Sequence, residues 1–391
     1  MFICDFRHGV ANGGVEEVRK NDMEMVSAEI TQAHGSAGDQ TFSFVNAPAF
    51  PAPASIMEAH SLFDAEIIPF DPREMKSRSA AVAAKACPQQ TLGDIVSLEG
   101  VGLHTGEIVH MTLRPADAGH GIVFRRTDLD TDASDVTDIL ARYDMVSDAT
   151  MCTRISNAAG TELNTIEHIM AALSAFSIDN ALIEIDGPEV PVMDGSSSEF
   201  VAAFTKTGAR RQGTERKALR VLKSVVVEDG LKRSELCPAD NFRIEFEIDF
   251  DNPVIGRQVL AADIDEAFFA DELADARTFG FLKDLELMKS LGLARGGSLD
   301  NAVVISGEEI LNEDGLRFDD EFVRHKMLDA VGDLALAGLP ILGCLKTVRG
   351  GHAMNNLVLR ALFADPSAYE IVTLREEGAS VARSSMAIPA E

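Results

Sequence analysis

Phe322-Val323-Arg324-His325-Lys326-Met327-Leu328-Asp329 is the stretch on which the reading of this chain turns. His325, Asp329 and Asp333 follow one another at i, i+4 and i+8, which lines them along one face of a helix. Phe322, Leu328, Val331, Leu334 and Ala335 supply an apolar stripe that would anchor that helix in a core. A histidine and two carboxylates beside such a stripe are costly to bury unless paired or metal-bound. Asp319 and Asp320 stand where a cap is expected, and Gly338-Leu339-Pro340 ends the pattern. A solvated acidic face with an incidental histidine accounts for the same letters.

The rest of the chain narrows the choice. Its 391 residues suggest two or three domains, and a hydrophobic content of 46% is ample for real cores. There is no 18-residue apolar run, so no membrane span is expected. The opening Met1-Phe2-Ile3-Cys4-Asp5-Phe6-Arg7-His8 lacks the apolar core of a secretory signal. Five scattered cysteines without a CxxC fit a reducing cytoplasm and argue against a thiolate zinc site. Any zinc would then use histidine and carboxylate. A formal charge of −28 argues against nucleic-acid binding, and an anionic substrate would need a local cluster of Lys and Arg.

Residues 1–88 mix Gly, Ala, Ser and Pro without a lasting period and read as a disordered extension. It is either a regulatory arm or the result of a start placed upstream of Met57 or Met75. From Gln90 the pattern sharpens. Strands are expected over Thr91–Leu98, Val109–Pro115, Gly121–Arg126 and Asn180–Ile185, with a tight turn at Gly100–Gly106. A helix over Thr165–Phe176 takes Thr165 as its N-cap. A polar hinge is expected at Gln212-Gly213-Thr214-Glu215. Strands then resume over Ala218–Glu228 and Phe242–Phe250, followed by helices over Asp263–Ala274 and Leu282–Leu291 and a strand over Asn301–Ser306. The helix quoted above spans Asp319–Ala337, Leu359–Phe363 belongs to a final helix, and a polar tail closes the chain. Both halves run strands first and helices later, so the expected fold is α+β, a duplicated unit with sheets and helices segregated. The expected division is 89–213, 214–373 and a tail from 374 to 391.

Glu167-His168 falls in the first turn of the helix after Thr165. There the helix N-terminus favours an ionised Glu167, as a general base requires. The pair alone is a weak signal and lacks the second histidine of HExxH. With His325 and Asp329 it makes two histidines and one carboxylate, the plan of a hydrolytic zinc centre with an open position. Gly350-Gly351-His352 offers an imidazole to stabilise an oxyanion and protonate a leaving amine, and Arg277-Thr278-Phe279-Gly280 offers a hydroxyl. An exposed loop histidine and a turn-capping threonine explain the same residues. Asp333 is placed to pair with His352 and favour its protonated form.

These segments resemble a known family. From about Gln90 to Thr373 the chain is similar to the UDP-3-O-acyl-N-acetylglucosamine deacetylases, zinc enzymes of the first committed step of lipid A synthesis. The resemblance is carried by Gly100–Gly106, Thr165–His168, Met193–Ser196, Ala276–Phe281, Leu311–Phe318, Glu321–Asp329 and Gly351–Asn356. It implies two similar α+β domains, each a sheet with two helices, and an active site between them. His168, His325 and Asp329 would bind zinc, although ferrous iron suits the same ligands. Glu167 would activate water, Thr278 would hold the oxyanion, and His352, oriented by Asp333, would protonate the amine. Lys326, Lys232 and Arg349 would contact UDP and sugar, with Phe279 beside them. Asp284–Ser306 would form a passage for the 3-O-acyl chain, lined by Leu293, Gly296, Gly297, Ser298 and Leu299, with Met151 and Cys152 nearby. The chain would act as a monomer, and protease-mediated turnover through its C-terminus is a further expectation, although the acidic ending departs from the apolar one expected. Two rivals are a metal amidohydrolase on another N-acyl substrate and a non-catalytic binding protein on the same fold.

Overall fold

Alternating burial along the strands builds two sheets, each covered by helices. The structure, a computed structural model, describes residues 86–290 and 292–375. The expected extension and tail therefore lie almost wholly outside the described residues. β1 (Pro88–Leu92), β2 (Val96–Val101), β3 (Ile108–Pro115), β4 (Ile122–Arg126) and β5 (Asp138–Leu140) come first. A small sheet of β6 (Val146–Asp148), β7 (Arg154–Ser156) and β8 (Glu162–Leu163) follows, then α1 (Glu167–Ala175), β9 (Ala181–Ile185) and α2 (Ser198–Thr207). In β3 the inward Val109, Met111 and Leu113 alternate with outward residues, as Ala181, Ile183 and Ile185 do in β9. Burying each of the Val, Met, Leu and Ile side chains stabilises the sheet by roughly 1.5–3 kcal/mol.

The second half continues with β10 (Ala209–Glu215), β11 (Lys217–Val221), β12 (Val225–Asp229), β13 (Lys232–Cys237), β14 (Phe242–Asp249) and β15 (Arg257–Asp263). After these come β16 (Phe279–Phe281), α3 (Leu282–Ser290), β17 (Val303–Ser306), β18 (Glu309–Ile310), α4 (Glu321–Ala335), β19 (Ile341–Val348), α5 (His352–Ala364) and β20 (Tyr369–Thr373). The first sheet has the order β2-β3-β9-β4-β5, with β9 antiparallel to β3 and parallel to β4. The second repeats it as β12-β13-β19-β14-β15, with β19 antiparallel to β13 and parallel to β14, and adds β11 and β20. In each, one helix precedes the central strand and one follows it. The α+β duplication expected from strand and helix order is thus present in the topology.

The equivalent helices α1 and α4 pack against each other. Their approach depends on Gly332, because a Cβ there would lie 2.0 Å from the carbonyl oxygen of Glu167. α4 is buried nearly all round, so the plain reading of its acidic line as a solvated face is wrong: His325 and Asp329 are fully buried and Asp333 almost so. Among the described residues no helix is long and apolar enough to cross a membrane.

Several local expectations are corrected. Thr91–Leu98 is broken into β1 and β2, with Gly93 N–H donating to the carbonyl of Gly208 at 2.8 Å. Ala218–Glu228 is two strands, not one. The polar hinge at Gln212–Glu215 lies inside β10, paired with β1; both faces stay largely exposed, which hides the strand from a search for alternation. Asp263 ends β15, so the helix expected from there starts only at Glu266, capped by Asp265 accepting from the N–H of Phe268, and runs on as a π-helical turn to Leu273. Thr165 is no N-cap. It has a φ of 60° and its hydroxyl donates to Glu189, while α1 starts at Glu167. Asp320 pairs with Arg324 instead of capping α4.

Candidate metal centre

α1 brings His168 to the face of α4 that carries His325 and Asp329. The donor atoms of these three buried residues all lie within 4.8 Å of one another. Nε2 of His168 is 3.6 Å and Nε2 of His325 is 3.4 Å from Oδ1 of Asp329. None of the three atoms has a hydrogen-bond partner, although each is buried. Burying one such atom unpaired costs about 1–3 kcal/mol, so three converging on one point fit a cation held between them. Two imidazoles and a carboxylate form the ligand plan of hydrolytic zinc centres.

The electrostatics agree with that role. Burial, against the pull of Asp329, holds His325 well below the usual imidazole range, which leaves it neutral. Nδ1 of His325 lies 3.0 Å from the carbonyl of Ala276, so Nδ1–H donates there and Nε2 presents its lone pair. Burial opposes charge on Asp329, but the positive charge beside it, with the Lys326 ammonium 2.9 Å from Oδ2, holds the carboxyl well below its usual range. Ser197 donates its hydroxyl to the carbonyl of His168 at 2.9 Å, fixing the first turn of α1. At the N-terminus of α4 the buried Glu321 accepts from Nε of Arg277 at 2.8 Å and from the main-chain N–H of Arg277 and of Arg317. This clasp holds the segment leading into Thr278.

Around His168, His325 and Asp329 stand the other expected groups. Glu167, adjacent to His168, is buried, and Oε2 accepts from the N–H of Thr153 at 3.0 Å. Contrary to the expectation from the helix terminus, burial and then the charges of Asp329 and Asp333 push its carboxyl well above the usual range. His352 opens α5, with Nδ1 2.6 Å from Oδ2 of Asp333 and Nε2 3.8 Å from Asp329. Thr278 is buried, and its N–H donates to the carbonyl of Gly195, which joins the Met193–Ser196 and Ala276–Phe281 segments. Thr153, Asn355 and Glu189 escaped the sequence reading. Asn355 Nδ2 donates to Asp333 at 2.9 Å, and Glu189 accepts from the N–H groups of His104 and Thr105. Only Asn355 lay in a segment already singled out.

The profile of the UDP-3-O-acyl N-acetylglycosamine deacetylases matches residues 89–364. The chain belongs to this deacetylase family. It is 50% identical to the UDP-3-O-acyl-N-acetylglucosamine deacetylase of Idiomarina loihiensis over 294 residues, 75% of this chain and 95% of the relative. It is 50% identical to that of Myxococcus xanthus over 287 residues, 73% and 90% of the two chains. The Brucella melitensis biotype 2 protein of the same name is 48% identical over 285 residues, 73% and 98%.

The residues that the deacetylase resemblance assigns to substrate are distributed more widely. Lys326 is buried, with Nζ donating to Oδ2 of Asp329 at 2.9 Å. Lys232 starts β13; since Arg233 pairs with Val348, it stands level with Arg349 at the end of the sheet that leads to His352. Arg349 donates to Asp249 at 2.6 Å. Phe279 is 1% exposed and packs edge-on against Phe322 and His325, in the core behind that histidine. Met151 packs against a satellite cluster of Leu103, Val192, Leu285, Met288, Ala294, Ala302 and Val304. Gly296 joins this segment to the Gly100–Gly106 turn, donating to the carbonyl of Leu103, and a Cβ there would meet the carbonyl of Gly102 at 2.3 Å. Gly297 lies against Leu103, and Ser298 N–H donates to Asn301, while Leu293 and Leu299 are exposed. Burial, then Glu167, pushes the Cys152 thiol up, so it stays protonated and unsuited to hold a metal.

Proposed function

We propose that the chain hydrolyses the N-acetyl group of UDP-3-O-acyl-N-acetylglucosamine, releasing acetate and UDP-3-O-acyl-glucosamine, the committed step of lipid A biosynthesis. The convergence of His168, His325 and Asp329 beside Glu167 and His352 carries this reading, together with membership of the deacetylase family. A zinc ion held by the three ligands supplies the polarisation of water and carbonyl that amide hydrolysis needs.

The chain's own groups do the rest. Glu167 takes a proton from the water whose oxygen adds to the acetamide carbon. The Thr278 hydroxyl donates to the developing oxyanion. As the C–N bond breaks, Nε2 of His352 gives a proton to the sugar nitrogen while Nδ1 stays on Asp333. Lys326, Lys232 and Arg349 meet the charge of the UDP-sugar, and the satellite cluster around Leu103 and Met288 receives the acyl chain. Residues 89–213 and 214–373 are two domains with the centre between them, and the enzyme works in the cytoplasm.

Acetate release from UDP-3-O-acyl-N-acetylglucosamine tests the reading. Glu167→Ala should lower turnover by at least about 100-fold with metal content unchanged. Full turnover in that variant would remove Glu167 as the base, and no release by the wild-type protein would remove the substrate.

A further inference from the structure

Thr153, buried just before β7, touches both groups that exchange protons in the proposed reaction. Its N–H donates to Oε2 of Glu167 at 3.0 Å, and its hydroxyl donates to Oδ1 of Asp333 at 2.5 Å. The same hydroxyl oxygen stands 3.1 Å from Nδ1 of His352. The other oxygen of Asp333, Oδ2, accepts from Asn355 and lies 2.6 Å from Nδ1 of His352. With the hydroxyl hydrogen committed to Oδ1, Nδ1 faces only acceptors, a lone pair of Thr153 and Oδ2 of Asp333. Nδ1 must then carry the proton, and Nε2 is left toward Asp329 as the nitrogen that gives or takes one.

We propose that Thr153 is a positioning residue for the hydrolysis: its hydroxyl fixes the Asp333 carboxylate and the tautomer of His352, while its main-chain N–H holds Glu167. The proposal rests on the deacetylase reading and adds to it a group that holds base and acid in one bonded unit. Valine has the shape of threonine without the hydroxyl and keeps the N–H, so Thr153→Val separates the two bonds. It leaves Oδ1 of Asp333 without its donor and lets the carboxylate and imidazole turn.

Two measurements on Thr153→Val and Thr153→Ser decide it. In steady-state kinetics, Thr153→Val should lose about 10–100-fold in kcat with KM and bound metal little changed, and Thr153→Ser should restore most of it. In metal-free protein labelled with 15N-histidine, the Nδ1–H resonance of His352, assigned by its loss in His352→Gln, should persist in wild type and Thr153→Ser and disappear in Thr153→Val. Wild-type kcat and a retained Nδ1–H resonance in Thr153→Val would overturn the proposal, as would a Thr153→Ser variant as impaired as Thr153→Val. Should the valine variant not fold, Thr153→Ala takes its place in both measurements. If the wild-type protein releases no acetate, the deacetylase reading fails, yet the resonance still reports whether Thr153 sets the tautomer.

Discussion

At the scale of the residue, Glu167 sits under opposing demands. The start of α1 favours its charge, yet burial and the carboxylates of Asp329 and Asp333 hold it well above the usual range. A cation held by His168, His325 and Asp329 would offset the Asp329 charge and release that constraint. In metal-free protein the raised carboxyl has a thermodynamic consequence of definite sign. The unfolded chain gives up this proton near pH 4.3 while the folded chain keeps it, so each unit above that costs folding about 1.4 kcal/mol until the folded pKa is reached. Glu167→Gln should therefore stabilise the metal-free protein relative to wild type, by an amount that grows as the pH rises from about 5 toward the folded pKa. Thermal denaturation across that range checks this, and a constant difference would contradict it. His168, in the first half of the chain, was joined to His325 and Asp329 only through the weak Glu167-His168 signal and the deacetylase resemblance, whereas His325 and Asp329 were legible as a pair because they are one helical turn apart. Thr153 was not, since its partners Asp333 and His352 lie 180 and 199 residues along the chain, and no local pattern reports such a contact.

At the scale of the element, the centre depends on how closely two helices approach. α1 and α4 meet where Gly332 lies under the backbone of Glu167, which is also the residue before His168 of the candidate centre. Gly332→Ala should push α1 away from α4, costing about 1–3 kcal/mol of stability as overpacking does, and should weaken metal binding as well. Denaturation and metal titration of that variant test the two effects together; unaltered metal affinity would show that the centre tolerates a wider helix separation. Elements with a clear period were legible, as β3, β14 and α4 show. Those without one were not. β10 is exposed on both faces, and β20 has a mixed pattern of burial; it pairs with β11 beyond the final helix and was not expected. Thr165 looked like a cap because caps favour threonine, but the chain needed a left-handed turn there and gave its hydroxyl to Glu189.

At the scale of the whole molecule, one strand order used twice brings two equivalent helices face to face, and each contributes to the candidate metal cluster. This explains how a chain of net charge −28 buries acidic groups at its centre. They are matched by imidazoles, by Lys326 and by hydrogen bonds, and the unpartnered Nε2 atoms of His168 and His325 and Oδ1 of Asp329 converge on a single point. The duplication was legible in the order of strands and helices. The burial of the acidic helix was not, because the same letters describe a solvated face until a second sheet covers it. Metal titration followed by acetate release tests the central claim most directly. Protein stripped by a chelator should be inactive on UDP-3-O-acyl-N-acetylglucosamine and regain activity with one zinc ion per chain, whereas His168→Ala, His325→Ala and Asp329→Ala should fail to bind that ion. Activity that persists in stripped protein, or tight zinc binding in all three variants, would contradict it.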